Sequence, residues 1–247
     1  MHPNRVVLIT GAARRIGAQI ARHLHACGFD VAVHYRRSAE EAEALAGELD
    51  AMRPGSARAF DADLSHADDC ARLVEAAARW HGRLDGLVNN ASTFLRTPIG
   101  SIDETLWSEL IDGNLKATLF TSQAAVPWLQ TNRGTIVNIA DARCERPLAG
   151  FAVYAAAKAG VVAITRALAL ELAPRVRVNA VAPGSLDWPE HAVFTDAERR
   201  AIESAIPLAR IGTGDDIARA IAFLLDGNDY VTGHVLHVDG GSSLVSR

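Results

Sequence analysis

Short apolar runs alternate with longer stretches of helical periodicity from one end of the chain to the other. The apolar runs predict strands at Val6–Ile9, Val31–Val33, Ala57–Phe60, Leu84–Val88, Thr135–Ile139, Val176–Val181 and His234–Val238. The stretches between them predict a first helix ending near Cys27 and further helices over Ala39–Leu49, Asp68–Trp80, Thr105–Gln130, Val153–Leu172 and Asp215–Leu225. Runs that stay apolar without alternating are typical of parallel strands buried on both faces of a sheet.

Strands that alternate with helices narrow the choice of fold class. Because crossover connections between parallel strands are right-handed, the pattern favours an α/β protein with a single-domain, Rossmann-type doubly wound parallel sheet of about seven strands, flanked by helices. No repeat, proline-rich linker or block of charge divides the 247 residues. Folds of this class commonly reach ~250 residues as one unit. We therefore expect one domain over residues 1–247.

The composition limits the class of partner. The formal net charge is −4, so the chain lacks the basic footprint of a nucleic-acid or anionic-membrane binder. No apolar run reaches the ~18 residues of a membrane span, and the N-terminus lacks the apolar core of a signal peptide. Cys27, Cys70 and Cys144 form no C-x-x-C pair, which favours neither a disulfide framework nor a metal site. We expect a cytoplasmic protein that acts on a small molecule.

A glycine-containing turn follows the first predicted strand and opens the first predicted helix, in the sequence Thr10-Gly-Ala-Ala-Arg-Arg-Ile-Gly17. This order presents backbone N–H groups and a helix N-terminus to a pyrophosphate, as in dinucleotide-binding proteins. Gly11 permits the tight turn, and Gly17 permits close packing of the helix on the strand. Arg15 stands where the G-x-G-x-x-G pattern has its middle glycine, so a plain βα turn is the alternative.

The end of the second predicted strand indicates which dinucleotide binds. NAD sites usually place a carboxylate about 20 residues after the glycine loop, where it bonds the ribose 2′-hydroxyl. The corresponding segment has no carboxylate and reads His34-Tyr35-Arg36-Arg37-Ser38. Arg37 and Ser38, with Arg36 and Arg14 nearby, predict charge-assisted bonds to a 2′-phosphate and therefore NADPH as the cofactor. A solvated arginine pair is the alternative.

A tyrosine and a lysine stand one helical turn apart near the start of the long helix after the fifth strand. Tyr154 and Lys158 therefore share one helix face, where a lysine cation can lower the pKa of the tyrosine hydroxyl. The 25 Lys and Arg residues include only two lysines, Lys158 and Lys116. That scarcity favours Lys158 as a site that needs a compact ammonium. Chance placement on a solvated face is the alternative, and Lys116 is expected at the surface.

Together these features resemble the short-chain dehydrogenase/reductase family over essentially the whole chain. The resemblance implies a general acid at Tyr154, a lysine at position 158 that tunes it and holds the cofactor ribose, and a proton-relay water supported by Asn114. It also implies cofactor contacts at Gly11, Arg14, Arg15, Ile16, Gly17, His34, Tyr35, Arg36, Arg37, Ser38, Asp63, Leu64, Asn90, Ala91, Tyr154, Lys158, Pro183 and Gly184.

One position departs from the family pattern. The residue that corresponds to the family's usual catalytic serine is Asp141. An ionised aspartate cannot donate a hydrogen bond to a carbonyl oxygen and would repel a developing alkoxide, which argues against ordinary ketone reduction. The nitrogen of a ring imine instead gains a proton as hydride reaches the adjacent carbon. A carboxylic acid near Tyr154 can supply or relay that proton.

The pteridine reductases are the branch of the family that this chain resembles at Asp141 and in three segments: Thr10–Gly17, His34–Ser38 and Val88–Phe94. The resemblance implies that Phe94 stacks a pterin against the nicotinamide and that Ser92 bonds the polar edge of the pterin. It also places Arg15 against both the substrate and the cofactor phosphate. A loop residue that caps the core is the alternative role for Phe94.

The segment 185–205 takes the place of the family's substrate loop, where Leu186 and Trp188 are expected to line the pocket or to pack against other side chains.

The prediction is an NADPH-dependent pteridine reductase that reduces a C=N bond of a dihydropterin or dihydrofolate. A carbonyl reductase for a ketone, sugar or 3-oxoacyl substrate and a non-catalytic NADPH-binding sensor are the alternatives. The family is usually tetrameric, and small apolar residues on the outer face of the long helix, such as Ala159 and Ala163, predict a homotetramer.

Overall fold

The computed structural model describes residues 5–144, 146–187 and 195–245. Seven parallel strands form one sheet in the order β3-β2-β1-β4-β5-β6-β7. The strands are β1 (Val6–Ile9), β2 (Asp30–Tyr35), β3 (Ala57–Asp61), β4 (Gly86–Asn89), β5 (Thr135–Ile139), β6 (Arg177–Pro183) and β7 (Val235–Val238). The predicted α/β class with a doubly wound parallel sheet is confirmed.

Helices connect successive strands within the described residues. They are α1 (Arg15–Ala26), α2 (Ala39–Met52), α3 (Ala67–His81), α4 (Glu104–Ile111), α5 (Ala117–Asn132), α6 (Ala152–Leu172), α7 (Asp196–Ser204) and α8 (Gly214–Ala222). Two π turns continue α4 and α8, over Asp112–Lys116 and Phe223–Gly227, and a 3-10 turn covers Ala142–Cys144.

A hydrophobic core covers each face of the sheet. Alternate side chains of β1 therefore enter different cores. Val7 and Ile9 pack in a core that α1, α2 and α8 complete. Val6 and Leu8 pack in a second core with side chains of α3, α5 and the C-terminal part of α6. All four side chains are fully buried, which explains why this strand is an unbroken apolar run in the sequence.

A crevice opens where the strand order reverses. β1 pairs with β2 on one side and with β4 on the other, so chain connections leave in opposite directions at the carboxyl ends of β1 and β4. The Thr10 hydroxyl, directly after β1, accepts hydrogen bonds from the backbone N–H groups of Asn90 (2.9 Å) and Ala91 (3.0 Å), directly after β4. These contacts join the two loops that border the crevice.

Two helical segments differ in detail from the sequence pattern. The predicted helix over Thr105–Gln130 is divided into α4 and α5, with the π turn at the predicted interruption near Gly113. The segment predicted as a substrate loop contains α7. A capping box begins α7, because the side chain of Thr195 bonds the backbone of Glu198 and the Glu198 carboxylate bonds the backbone of Thr195.

The long helix α6 changes one expectation. Its 21 residues have a mean hydropathy of 1.5 over an 18-residue window, so its length and composition alone would suit a membrane span, although no run of that length was expected. The core helix of a soluble protein passes the same test. Here α6 packs on β6 and carries the buried Lys158 on its inner face.

Candidate active site

Tyr154, Lys158 and Asp141 meet at the carboxyl end of β5. Asp141 follows β5, while Tyr154 and Lys158 lie in the first two turns of α6. The Tyr154 hydroxyl donates a hydrogen bond to Asp141 Oδ2 at 2.9 Å. The Lys158 ammonium donates to the backbone carbonyl of Ile139 at 2.8 Å and lies 5.9 Å from the centre of the Tyr154 ring. The structure therefore brings together the three residues that the sequence singled out.

The electrostatics of this trio differ from the expectation. Burial, followed by the negative charge of Asp141 and the hydrogen bond to it, holds the pKa of Tyr154 well above its usual value. The net shift of the Tyr154 pKa is therefore upward in the protein without cofactor, and a lowering contribution from Lys158 stays a prediction. Burial lowers the pKa of Lys158 itself to about 8, although Asp141 opposes this shift. Tyr154 is a protonated donor at neutral pH.

Arg143 was not singled out by the sequence, although it lies only two residues from Asp141. Its backbone N–H donates to Asp141 Oδ1 at 2.7 Å, and its guanidinium donates to the Ser185 hydroxyl at 2.8 Å. The guanidinium charge lowers the pKa of Tyr154 and so partly offsets Asp141. The adjacent Cys144 is not a ready nucleophile, because burial raises the pKa of its thiol to about 11.

Asn114 is fixed on the π turn, where it is almost completely buried. Its side-chain oxygen accepts a hydrogen bond from the Ser92 hydroxyl at 2.6 Å. Its side-chain nitrogen donates to the carbonyls of Thr93 (2.9 Å) and Leu110 (2.8 Å). Asn114 therefore holds the predicted substrate-side segment in place, and the water-supporting role implied by the family resemblance stays a prediction.

An aromatic cluster borders the trio. The ring of Phe94 stacks on Phe151 with 4.8 Å between ring centres and meets the Tyr154 ring edge-on, also at 4.8 Å. Phe151 is the residue before α6 and was not expected in the site. The cleft that Phe94, Asp141, Phe151 and Tyr154 line has a volume of about 20 Å³. Small-molecule sites usually reach ~300 Å³ or more, so this cleft as it stands is too small to hold a whole ligand.

The glycine loop has the geometry that a pyrophosphate requires. Gly11 has φ +62°, and a Cβ atom there would lie 2.9 Å from Ala91 Cα, while a Cβ atom on Gly17 would lie 2.2 Å from the Gly11 carbonyl oxygen. Helix α1 begins without a side-chain cap and has no acidic residue in its first turn. Its N-terminal N–H groups and dipole therefore suit an anionic group, and the residues fit a dinucleotide.

The cofactor residues predicted before β5 line one cleft of about 490 Å³. They are Gly11, Arg14, Arg15, Ile16, Gly17, His34, Tyr35, Arg36, Arg37, Ser38, Asp63, Leu64, Asn90 and Ala91. Ser92 also borders this cleft. Arg36 and Arg37 are exposed at its rim, where Arg36 lies 3.7 Å from the Asp63 carboxylate. Arg14 lies 3.7 Å from Glu41 on α2.

His34 lines the cleft in a different way from its neighbours. The imidazole is only 2% exposed, and it bonds backbone atoms of two loops. Its Nδ1 atom lies 2.9 Å from the Gly11 nitrogen, and its Nε2 atom lies 3.2 Å from the Ala62 oxygen. Both ring nitrogens have protein partners, so the imidazole connects two loops of the cleft, and a direct cofactor contact by His34 stays a prediction.

Arg15 lines the cofactor cleft and also reaches the segment after β6, near which the remaining predicted residues lie. Arg15 has φ +52°, the conformation of a glycine, and its guanidinium donates to the Asp187 carbonyl at 3.0 Å. The Gly184 N–H donates to Val238, so Pro183 and Gly184 lie beside the end of β7 and not in the cleft described above. Leu186 packs on the core of α1 and α8 and does not line the cleft of Phe94. Trp188 lies outside the described residues.

Relatives match almost the whole chain. A family model described as Enoyl-(Acyl carrier protein) reductase matches residues 11–243. The 3-oxoacyl-[acyl-carrier-protein] reductase FabG of Staphylococcus aureus is 38% identical over 244 residues, which cover 98% of this chain and 99% of that protein. Pteridine reductase 1 of Leishmania tarentolae is 36% identical over 280 aligned positions, which cover 97% of this chain and 96% of that protein.

The names of these relatives give two different substrate classes, and the relatives are almost equally identical to this chain. The comparison therefore identifies the family and not the substrate. The range that the family model matches contains Gly11 and Gly17, the aspartate after β5 and the Tyr154–Lys158 pair. The sequence match and the all-parallel sheet therefore agree. The chain belongs to the short-chain dehydrogenase/reductase family of oxidoreductases, whose reductases use NAD(P)H.

Proposed function

We propose that this protein is an NADPH-dependent reductase that adds hydride to the C=N bond of a dihydropterin or dihydrofolate and forms the tetrahydro product. The observation that supports this most is the carboxylate of Asp141, 2.9 Å from the Tyr154 hydroxyl at the position where the family usually has serine. A carboxylate there cannot donate to a ketone oxygen. It is suited to a substrate nitrogen that must gain a proton.

The proton has a defined source in this proposal. The oxygens of Asp141 and Tyr154 hold one proton between them, and the raised pKa of Tyr154 keeps it there at neutral pH. Reduced nicotinamide supplies the hydride when NADPH is bound. As the ring nitrogen takes the proton, the cations of Lys158 and Arg143 stabilise the negative charge left on the pair. Lys158 also orients the cofactor ribose through its ammonium.

The aromatic cluster supports a flat heterocyclic substrate. Phe94 and Phe151 already stack with their planes within 10° of each other. A pterin ring can replace one of these stacking partners and retain the offset ring contact. In this proposal Phe94 turns from Phe151 to the substrate, while Ser92 and Arg15 contribute polar contacts at its edge.

A 3-oxoacyl or other carbonyl reductase is the second candidate. The relatives named as 3-oxoacyl-[acyl-carrier-protein] reductases favour it, because they match 96% to 98% of this chain with 36% to 38% identity. The two candidates differ in the hydrogen-bond donor they require. Ketone reduction needs a donor to a developing oxyanion, whereas C=N reduction needs a proton delivered to nitrogen.

The test follows NADPH oxidation with dihydrobiopterin, dihydromonapterin, dihydrofolate, a 3-oxoacyl thioester and simple ketones. We expect kcat/KM for at least one dihydropterin or dihydrofolate to exceed that for every carbonyl compound by tenfold or more. The matched variant is Asp141→Ser, which restores the usual serine and should lose pterin turnover while it retains or gains ketone turnover. Faster reduction of the 3-oxoacyl thioester by the native protein would refute the proposal. NADPH binding without turnover of any substrate would favour the sensor.

We also propose a homotetramer. Trp107 on α4, Leu119 on α5 and Leu170 on α6 are exposed to 49%, 37% and 84%. A second subunit would cover these side chains on helices that flank the sheet. Light scattering tests the mass, and a stable monomer at micromolar concentration would rule the tetramer out.

A further inference from the structure

We propose that His34 is a positioning residue of the cofactor cleft, whose neutral imidazole braces the glycine loop against the loop that follows β3. The inference rests on dinucleotide binding, which family membership supports, and not on the pterin chemistry. Failure of the pterin proposal would therefore leave it standing.

The brace is defined by two hydrogen bonds at opposite ends of one ring. The Gly11 N–H donates to Nδ1 of His34 at 2.9 Å, and Nε2 donates to the Ala62 carbonyl at 3.2 Å. A backbone amide can only donate and a carbonyl can only accept, so the partners require a neutral ring with its proton on Nε2. A positively charged ring would present a proton to the Gly11 N–H and lose that bond.

The two loops held by His34 form different parts of the cleft. Gly11 makes the tight turn before the N-terminus of α1, where a pyrophosphate would bind. Ala62 directly precedes Asp63 and Leu64, which line the same cleft on the other side. The backbone adds two nearby bonds, from Ala12 N–H to the His34 carbonyl (2.8 Å) and from Ala62 N–H to the Tyr35 carbonyl (3.1 Å).

The surroundings of the ring maintain its neutral state. Burial lowers the pKa of His34 to about 4, and the positive charge of Arg36 acts in the same direction. The Ala62 carbonyl and the carboxylates of Asp61 and Asp63 oppose this shift but do not cancel it. Because the ring stays neutral across the physiological range, the brace does not depend on pH there.

Three substitutions of His34 test its two hydrogen bonds one at a time and together. In His34→Asn the side-chain oxygen can take the place of Nδ1 and accept from Gly11, but the side chain is too short to reach Ala62. In His34→Gln the side-chain nitrogen can take the place of Nε2 and donate to Ala62, while the bond to Gly11 is lost. His34→Phe retains a ring of similar shape and removes both bonds.

The matched control is His25→Phe. His25 is also a buried imidazole, at 6% exposure, and its Nε2 lies 2.7 Å from the Ser56 hydroxyl, away from the cleft residues. Loss of a buried polar partner should destabilise both phenylalanine variants. Only the His34 variant should weaken dinucleotide binding.

The primary measurement is the Kd of NADPH and of NADH, from nicotinamide fluorescence. We expect His34→Phe to raise both values by about 10- to 100-fold, and the Asn and Gln variants to raise them by about 3- to 10-fold, since each lost bond leaves a polar group unpaired. His25→Phe should leave both Kd values within twofold.

A second readout does not depend on any variant folding. In the cofactor-free protein, ¹⁵N NMR of the imidazoles should show His34 neutral at pH 6.5 with its proton on Nε2 and a coupling between Nδ1 and the Gly11 amide. A charged ring, or a proton on Nδ1, would overturn the brace. So would a folded His34→Phe variant whose Kd values match those of the His25 control.

Discussion

The crevice has a cofactor half, which is the cleft around the glycine loop, and a catalytic half around Asp141, Tyr154 and Lys158. The two halves differ in how far their charged side chains are exposed to water. In the cofactor half, Arg36 and Arg37 lie exposed at the rim, and the nearest carboxylate to Arg36 is 3.7 Å away. In the catalytic half, Lys158 is 3% exposed and bonds a backbone carbonyl at 2.8 Å. Water and salt screen the first set of charges, whereas burial strengthens interactions among the second. The proposed selection of NADPH would therefore rest on several weak contacts, and the proposed chemistry would rest on a few strong ones.

The largest effect should come from the catalytic half. Asp141→Ala removes the carboxylate that shares a proton with Tyr154, so dihydropterin turnover should fall by about 10²- to 10⁴-fold, the usual contribution of general acid catalysis. The Kd of NADPH should stay within threefold, because Asp141 does not line the cofactor cleft. Steady-state kinetics and fluorescence titration measure the two quantities. Undiminished turnover would remove Asp141 from the mechanism.

Burial of Lys158 should make both activity and stability depend on pH. Its pKa of about 8 means that the cofactor-free protein loses this positive charge as the pH rises through 8, so kcat/KM should decline above that value. The unfolded value is higher, 10.5, so the unfolded chain binds more protons between pH 8 and 10. The free energy of unfolding should therefore rise with pH over that range.

Lys158→Met isolates this contribution. Relative to the variant, native protein should gain up to about 3 kcal/mol of stability between pH 8 and 10, measured by urea denaturation. The matched control is Lys116→Met, which replaces the only other lysine, a half-exposed side chain 3.6 Å from Asp112. If the free energy of unfolding kept its dependence on pH in Lys158→Met and lost it in Lys116→Met, the assignment of this dependence to Lys158 would be wrong.

A smaller effect should come from the cofactor half. Arg37→Ala should weaken NADPH binding by about 10- to 100-fold and leave NADH binding within threefold, because one charge-assisted contact to the 2′-phosphate is lost. The loss should shrink as salt concentration rises. Arg79→Ala, which removes an exposed arginine paired with Glu75 on α3, is the control and should change neither Kd. Equal losses for both nucleotides would argue against a phosphate contact.

The smallest effect concerns the stability of the cofactor-free protein. Arg36→Ala removes the exposed pair with Asp63, and pairs of this kind contribute about 0 to 1 kcal/mol. Thermal unfolding at low and high salt should differ little from native. A loss of several kcal/mol would mean that charge in the cofactor half is coupled as strongly as in the catalytic half, and the contrast between the halves would fail.

The sequence was sufficient to predict features that depend only on the succession of neighbouring residues. Buried parallel strands are unbroken apolar runs, a glycine loop must follow β1, and Tyr154 and Lys158 are one helical turn apart. The partners across space were not predictable in this way. Nothing local pairs Arg143 with Ser185 or places His34 between Gly11 and Ala62. The direction of the Tyr154 pKa also depends on burial, which spacing does not report.

The π turn over Asp112–Lys116 has a consequence for how this protein can change in length. A π turn holds one residue more than the α-helix it interrupts, and it directs Asn114 inward onto Ser92 and Thr93. Because the π turn holds the extra residue within one turn, deleting Gly113 alone would convert the stretch to a regular helix and leave the relative rotation of α4 and α5 nearly unchanged. A single lost residue would thus remove the bulge that directs Asn114 onto the loop it holds, whereas many substitutions on the outer face would leave that anchor intact.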